Sequence, residues 1–239
     1  ANLAARRDAF APPGLILPQQ LPLPLGSRVA MTREDFVPSL ASAPALAFID
    51  SWPQWPVAAA ALHGPSGSGK SHLAAIWHAR SGAQIVSAKE LSGALAGLDP
   101  ASPLIVEDVD SAHVSPARDA ALFSLLERAQ NNAPVLLTGR EPPSMWKTSL
   151  PDLASRFSAL LAFPLWAPDD ELLAAIARKL FNDRQLAVPD AVIARMVTSL
   201  ERSPAAMRDF VAQADERALA EGRPINLALV RDMLAESGR

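Results

Sequence analysis

Residues 64–71 read Gly-Pro-Ser-Gly-Ser-Gly-Lys-Ser, with an apolar run at 57–62 before them and a helix-periodic stretch at 69–79 after them. Glycine at the first, fourth and sixth positions opens backbone conformations closed to other residues, so that successive N–H groups turn inward onto one anion. A helix that starts at the loop adds the positive end of its dipole at the same point. The spacing therefore predicts a strand, a phosphate-cradling loop and a helix, in that order, and commits the chain to an α/β arrangement. Gly64, Pro65, Ser66, Gly67, Ser68, Gly69, Lys70 and Ser71 are the candidate phosphate contacts. Lys70 would act as a point charge on the β and γ phosphates of a nucleotide, and the Ser71 hydroxyl as a ligand of Mg²⁺. His72 follows directly; it is either a further nucleotide contact or a histidine satisfied by its own fold.

The rest of the chain supports that arrangement. Short apolar runs at 57–62, 84–86, 104–106 and 135–137, with a further apolar stretch at 159–165, alternate with helical patterns at 69–79, 88–95 and 117–130. Strand alternating with helix implies a parallel sheet covered on both faces. Beyond residue 168 the strand signal stops, and 169–181, 189–200, 204–219 and 226–234 all carry helical spacing, with Ser203-Pro204 reading as an N-cap followed by proline at the first helical position. The fold class expected is thus an α/β P-loop nucleotide-binding domain over 32–167 followed by a small all-helical lid over 168–239. Ten of the 22 prolines lie in the first 65 residues, and 12–26 read Pro-Pro-Gly-Leu-Ile-Leu-Pro-Gln-Gln-Leu-Pro-Leu-Pro-Leu-Gly. Residues 1–31 are accordingly an extended proline-rich tail, the folded part beginning near Phe36 with a short helix within 38–48.

Charge narrows the partners. The 22 Lys+Arg against 25 Asp+Glu leave a formal charge of −3, and from Pro168 onward there are 12 acidic and 10 basic residues. That balance provides no basic arm or helix to hold DNA through its phosphates. The absence of cysteine excludes disulfides, thiolate catalysis and Cys-based zinc sites. Without an apolar run of about 20 residues or a signal layout at the start, the expectation is a cytoplasmic protein with no membrane partner.

A phosphate loop needs an acidic residue at the end of a neighbouring strand. Leu104-Ile-Val-Glu-Asp108 supplies two, Glu107 and Asp108, about where a metal-fixing element belongs. By position Glu107 faces Mg²⁺ and Asp108 orients an attacking water, an acidic turn at a strand end being the plain alternative. The Glu-Asp order reverses the commoner one and suggests slow turnover. Val135-Leu-Leu-Thr-Gly-Arg140 is a further buried strand with a polar end, where Thr138 or Arg140 could sense a γ phosphate, or where the strand simply becomes a loop. The four histidines show no metal spacing, and Trp52 and Trp55 flank Pro53 as packing residues or as a base contact.

Together these motifs resemble an AAA+ ATPase domain. The phosphate loop, the acidic strand end, the strand ending in Thr138, and Arg156 within Leu153-Ala-Ser-Arg-Phe157 stand where that family places its elements. The C-terminal helices resemble the family's lid, with Arg208 in Met207-Arg-Asp-Phe210 at the position of a second sensor arginine. Read bare, Arg156 near a helix end is an ordinary solvated cap. More narrowly, residues 32–37 (Thr-Arg-Glu-Asp-Phe-Val), 137–143 and 150–156 are similar to the DnaA/Hda family. The chain runs to Arg239, directly after the fourth lid helix, so the DNA-binding helix-turn-helix domain of DnaA is not expected in it.

That resemblance carries functional expectations. Gln20-Leu-Pro-Leu-Pro-Leu25 is similar to the peptide by which such regulators dock on the replicative sliding clamp, the DNA polymerase III β subunit: Gln20 in a polar notch, Leu21, Leu23 and Leu25 in an apolar channel, with Pro22 and Pro24 lowering the ordering cost. The resemblance implies ADP or ATP with Mg²⁺ as cofactors, DnaA as partner, DNA reached only through the clamp, and a possible homo-oligomer. Its implied activity is promotion of hydrolysis of DnaA-bound ATP, with Arg156 acting in trans to lower replication initiation. The alternatives are an autonomous DnaA-like ATPase or loader, and a non-catalytic adaptor between clamp and DnaA.

Overall fold

Five short strands lie side by side in the order β2-β3-β4-β1-β5, every neighbouring pair parallel. They are β1 (Ala59–His63), β2 (Gln84–Ser87), β3 (Leu104–Glu107), β4 (Val135–Gly139) and β5 (Leu161–Pro164). The structure is a computed structural model and describes residues 31–130 and 133–237. The sequence-predicted runs at 57–62, 84–86, 104–106 and 135–137 each coincide with a strand to within two or three residues.

Side-chain alternation builds two apolar layers on this sheet. Leu104, Val106, Val135, Leu137 and Ala61 point to one face, where they join Leu91, Leu122, Leu125, Leu153 and Phe157. Ile105, Leu136, Ala60 and Leu62 point to the other, against Leu46, Ile49, Leu73, Ile76 and Trp77. The first face is covered by α3 (Leu91–Ala94), α4 (Pro116–Ala129) and α5 (Pro151–Ser158), the second by α1 (Ala43–Asp50) and α2 (Lys70–Ser81). Central β4 is buried at all five positions, as expected of a strand sealed on both faces.

Trp52 and Trp55 belong to the second layer. Trp55 stacks on Trp77 with ring centroids 4.5 Å apart and on Phe48 at 4.3 Å, and its indole N–H donates to the Phe48 carbonyl. Packing is what these aromatic residues do.

Local chemistry sets the helix ends. The Ser115 hydroxyl accepts from Arg118 N–H at 3.2 Å, with Pro116 in the first turn of α4. The Asp169 carboxylate accepts from Leu172 N–H, and the Ser203 hydroxyl from Ala206 N–H. These start α6 (Asp170–Asp183) and α8 (Pro204–Glu221), which with α7 (Asp190–Ser199) and α9 (Leu227–Ser237) pack around their own apolar cluster of Leu173, Phe181, Met196, Met207, Phe210 and Leu229.

Three local differences from the sequence expectation have physical reasons. The helix sought within 38–48 begins only at Ala43, because Ser39 and Ser42 bond to each other's backbone and hold a turn ahead of it. The stretch 88–95 is helical only over Leu91–Ala94 and then tightens to a 3₁₀ turn over Leu95–Gly97. Helix α5 was marked in the sequence only by a helix end near Arg156; it begins with proline at 151, is eight residues long, and buries only Leu153 and Phe157, one turn apart.

At the end of β4, Gly139 meets the indole of Trp146, and a Cβ built there would lie 2.8 Å from two of its ring atoms. Nothing lies within 4 Å of the corresponding position at Gly93. Gly139→Ala should therefore cost about 1–3 kcal/mol by overpacking, whereas Gly93→Ala on exposed α3 should be neutral or slightly stabilising; urea denaturation of the two variants checks the contrast.

Candidate functional site

The loop between β1 and α2 owes its shape to a close backbone pass. A Cβ on Gly64 would stand 1.9 Å from the Leu165 carbonyl oxygen, a space that no side chain can share, and Gly64 has φ +149. At the same place Gly64 N–H donates to Gly139 O at 3.2 Å and Leu165 N–H to His63 O at 2.7 Å. The exits of β4, β1 and β5 are thus joined where the loop leaves the sheet. Gly67 and Gly69 take φ +76 and +97, the left-handed conformation that lets the loop fold back before α2 begins.

Lys70 is the first residue of α2 and only 9% exposed. Its ammonium donates to the carbonyls of Gly64 at 2.7 Å and Pro65 at 2.8 Å, and stands 3.5 Å from the Ser68 hydroxyl. Burial pushes the Lys70 pKa down; Asp108 and Asp110 oppose that shift and Arg140 adds to it. Those three are therefore the charged neighbours of the ammonium. Pro65 and Ser66 on the loop and Ser71 at the start of α2 are exposed.

Glu107 is the last residue of β3 and Asp108 follows it directly, so both carboxylates lie at the strand end read from the sequence. Asp108 turns out of the strand at φ 57, ψ 46, the left-handed region that aspartate tolerates, and its N–H donates to the Thr138 hydroxyl at 3.1 Å. Thr138 is only 2% exposed and bridges the exits of β3 and β4. Of the two options at the end of β4, Thr138 holds the backbone of Asp108, and Arg140 lends its charge to the surroundings of Lys70.

Sequence reasoning passed over Asp110. Its Oδ2 accepts both Arg140 N–H and Glu141 N–H at 2.7 Å, while Oδ1 is buried with no partner among the described residues. The signal available was a third carboxylate two positions beyond Asp108, on a turn too short to carry it away.

On the lid side, a Cβ on Gly67 would lie 3.2 Å from Ser203 Cβ, so the loop apex touches the start of α8. Arg208 lies in the second turn of that helix, close enough to His72 that its charge helps to lower the histidine pKa, after the larger effect of burial. Its Nε is buried with no partner among the described residues. His72 itself is held structurally: a ring nitrogen stands 2.8 Å from the Thr32 carbonyl and the ring meets Phe36 edge-on at 5.1 Å. The Thr32–Phe36 turn also reaches the lid through Lys179, whose ammonium stands 3.3 Å from Asp35 Oδ1.

Arg156 sits in the last turn of α5 and is not a plain solvated cap. Its guanidinium lies over the Phe123 ring at 4.3 Å from the centroid, and one Nη donates to Glu127 at 3.1 Å. The side chain is 31% exposed and its partner Glu127 55%. Because α5 leads into the first residue of parallel β5, Arg156 lies near the edge where strands start, whereas the phosphate loop lies where they end. Gln20, Leu21, Leu23, Pro24 and Leu25 fall outside the described residues.

A family model described as an AAA domain matches residues 60–203. Among solved structures, domain III of the Thermotoga maritima replication initiation protein DnaA superposes with TM-score 0.71 at 16% identity, over 87% of this chain and 96% of that one. AMPPCP-bound DnaA from Aquifex aeolicus follows with TM-score 0.65 at 14% identity, over 76% and 64%. The Thermotoga maritima RuvB Holliday junction branch migration motor gives 0.65 at 16%, over 86% and 71%. At these identities the likeness is one of fold. No helix among the described residues is long and apolar enough to cross a membrane.

The tie between the Thr32–Phe36 turn and the lid has a pH signature. Burial pushes the Asp35 carboxyl up, but hydrogen bonds from Thr32 and Lys179 outweigh it and leave the pKa below 3.8. A depressed folded pKa gives stability that is present above the unfolded value and lost as pH falls through the folded one. Asp35→Asn should thus cost no more than about 1 kcal/mol at neutral pH, given the exposure of the pair. Its disadvantage should vanish in acid below pH 3.8, as followed by thermal denaturation against pH.

Proposed function

The chain belongs to the AAA domain family, and from that membership we propose that it is a nucleotide-binding regulator that docks on the DNA-loaded sliding clamp and promotes hydrolysis of the ATP bound to DnaA. The observation that carries this reading is the setting of Arg156. Its guanidinium rests on Phe123 and uses one nitrogen on Glu127, which leaves the remaining N–H groups of a half-exposed fork to be presented outward. It stands roughly one strand length, ~15 Å, from the edge that carries the chain's own phosphate loop. A cation held that far from its own loop is suited to a phosphate held by a neighbour. The likeness of fold to domain III of DnaA supports the choice of neighbour.

The chain's own loop fits an adenine nucleotide. Three glycines shape an inward-facing cradle, Lys70 lies buried beneath it, and the lid brings Arg208 with an unpartnered buried Nε to its side. In this reading Gly64, Pro65, Ser66, Gly67, Ser68, Gly69 and Lys70 hold the phosphates, Ser71 and Glu107 serve Mg²⁺, and Arg208 reaches the nucleotide from the lid. Asp108 orients water next to Thr138. A bound nucleotide with its metal supplies concentrated negative charge that core and lid can share. The residues around it then fix the angle between the two, so that ADP or ATP serves as a structural ligand with slow turnover.

An arginine supplied in trans lowers the barrier to phosphoryl transfer because its planar fork meets charge spread over the transferring oxygens; such groups are worth ~10³–10⁵ in rate. Arg156→Ala should leave ADP binding and clamp retention intact while removing about 10³-fold or more of the stimulated hydrolysis. The decisive assay is hydrolysis of DnaA-bound ATP with and without this protein, clamp and DNA. Wild-type stimulation by Arg156→Ala defeats the reading, and rapid hydrolysis without DnaA would favour an autonomous ATPase.

The tail provides the second contact in this reading. Gln20 and the leucines at 21, 23 and 25 bind the clamp, and docking raises the local concentration of the regulator on DNA. Replacing Gln20 and Leu21 together by alanine should weaken clamp binding by at least about tenfold, taking about 1.4 kcal/mol as the least such a pair of anchors contributes. Retention on clamp-coated beads measures it, and unchanged retention removes the tail from the proposal.

A further inference from the structure

Among the described residues one ion pair is sealed from water, and it lies outside the phosphate loop. Arg118 and Asp119, in the first turn of α4, have side chains 4% and 0% exposed. One Arg118 Nη donates to Asp119 Oδ1 at 2.8 Å and to the Lys147 carbonyl at 2.9 Å; the other donates to the Val109 carbonyl at 2.7 Å. Asp119 Oδ2 accepts from the Thr148 hydroxyl at 2.9 Å, the Ser149 N–H at 2.7 Å and the Ser149 hydroxyl at 2.8 Å. The Thr148 oxygen in turn accepts from Leu150 N–H, one residue before α5 begins.

These bonds join two places that the backbone does not. Val109 directly follows Asp108, whose N–H is held by Thr138 beside the Lys70 ammonium. Residues 147–150 lead into α5, whose last turn carries Arg156 near the opposite edge of the sheet. A buried carboxylate and guanidinium with these partners have no water to turn to, so neither segment can shift against the other without stranding a charge in the apolar layer. The outer contacts of α5 through Phe123 and Glu127 are half-exposed and yield more easily.

We propose that Arg118 and Asp119 are positioning residues that fasten the start of α5 to the turn after Asp108, so that a change at the phosphate loop reaches Arg156 as a displacement of the whole helix. The α5 helix acts as a short lever between the two edges of the sheet. The consequence for catalysis rests on the reading of Arg156 as a group presented in trans, while the mechanical link does not.

The test uses the full chain carrying Asp119→Asn, which keeps the size of the side chain and removes its charge. Three quantities are read: the dissociation constant for MgADP; the maximal rate and half-saturating concentration in stimulated hydrolysis of DnaA-bound ATP; and hydrogen exchange of residues 146–158 with and without MgADP. The maximal rate should fall at least about tenfold, with ADP affinity and half-saturation held within about twofold. The wild type should show an exchange response of 146–158 to MgADP that disappears in the variant, and a wild type without that response overturns the proposal.

An unchanged maximal rate together with an unchanged exchange response overturns the proposal, as does a loss of ADP affinity as large as the loss of rate, which would mark a merely structural role. Should Asp119→Asn fail to fold, Thr148→Val with Ser149→Ala removes two of the bonds to Oδ2, keeps the ion pair, and carries the same expectations. If Arg156→Ala still stimulates hydrolysis, the reading in trans fails by itself, and the exchange measurement alone decides the link.

Discussion

The pass of Gly64 against the Leu165 carbonyl is the constraint from which the rest of the site follows. It brings the ends of β1 and β5 within backbone contact, and Gly64 N–H adds the end of β4. With those three exits fixed, the loop has one direction in which to run, and Gly67 and Gly69 turn it so that Lys70 begins α2 beneath its own carbonyls. Leu165 also marks the departure toward the lid, so the same contact decides where the C-terminal helices can stand. Any side chain at position 64 would have to part the strand ends.

Around that anchor the polar groups are arranged in pairs across strand exits. Thr138 holds the N–H of Asp108, and Asp110 holds two N–H groups beyond β4. Neither bond belongs to a sheet ladder, yet both continue the pairing of β3 with β4 past the point where the strands end. The two loops that flank Lys70 are thereby fixed to one another. Arg118 and Asp119 extend the connection to the beginning of α5. The apolar layers make the sheet rigid, and these buried polar bonds set the register of what projects from it.

The helical part has its own apolar cluster and meets the α/β part through contacts that include Ser203 against Gly67 and Lys179 with Asp35. The Arg178–Asp190 and Arg217–Glu236 pairs lie on its exposed side and add little to stability.

Much of this was legible in the chain of letters. Glycine at 64, 67 and 69, lysine at 70, and apolar runs of three to seven residues between helical stretches determined a parallel sheet with a glycine-rich loop between β1 and α2, because backbone freedom and side-chain periodicity are local properties. Ser203-Pro204 marked the start of α8 for the same reason. The extent of helix α5 did not show beyond a helix end near Arg156, because only Leu153 and Phe157 enter the core, too few to show a period. The tertiary structure alone decided that Asp110 caps the loop after β4, that His72 is taken by the Thr32 carbonyl, that Arg156 rests on Phe123, and that Arg118 and Asp119 are buried together. Each depends on residues about 30 to 40 positions apart meeting in space, and only packing brings such groups within hydrogen-bonding reach.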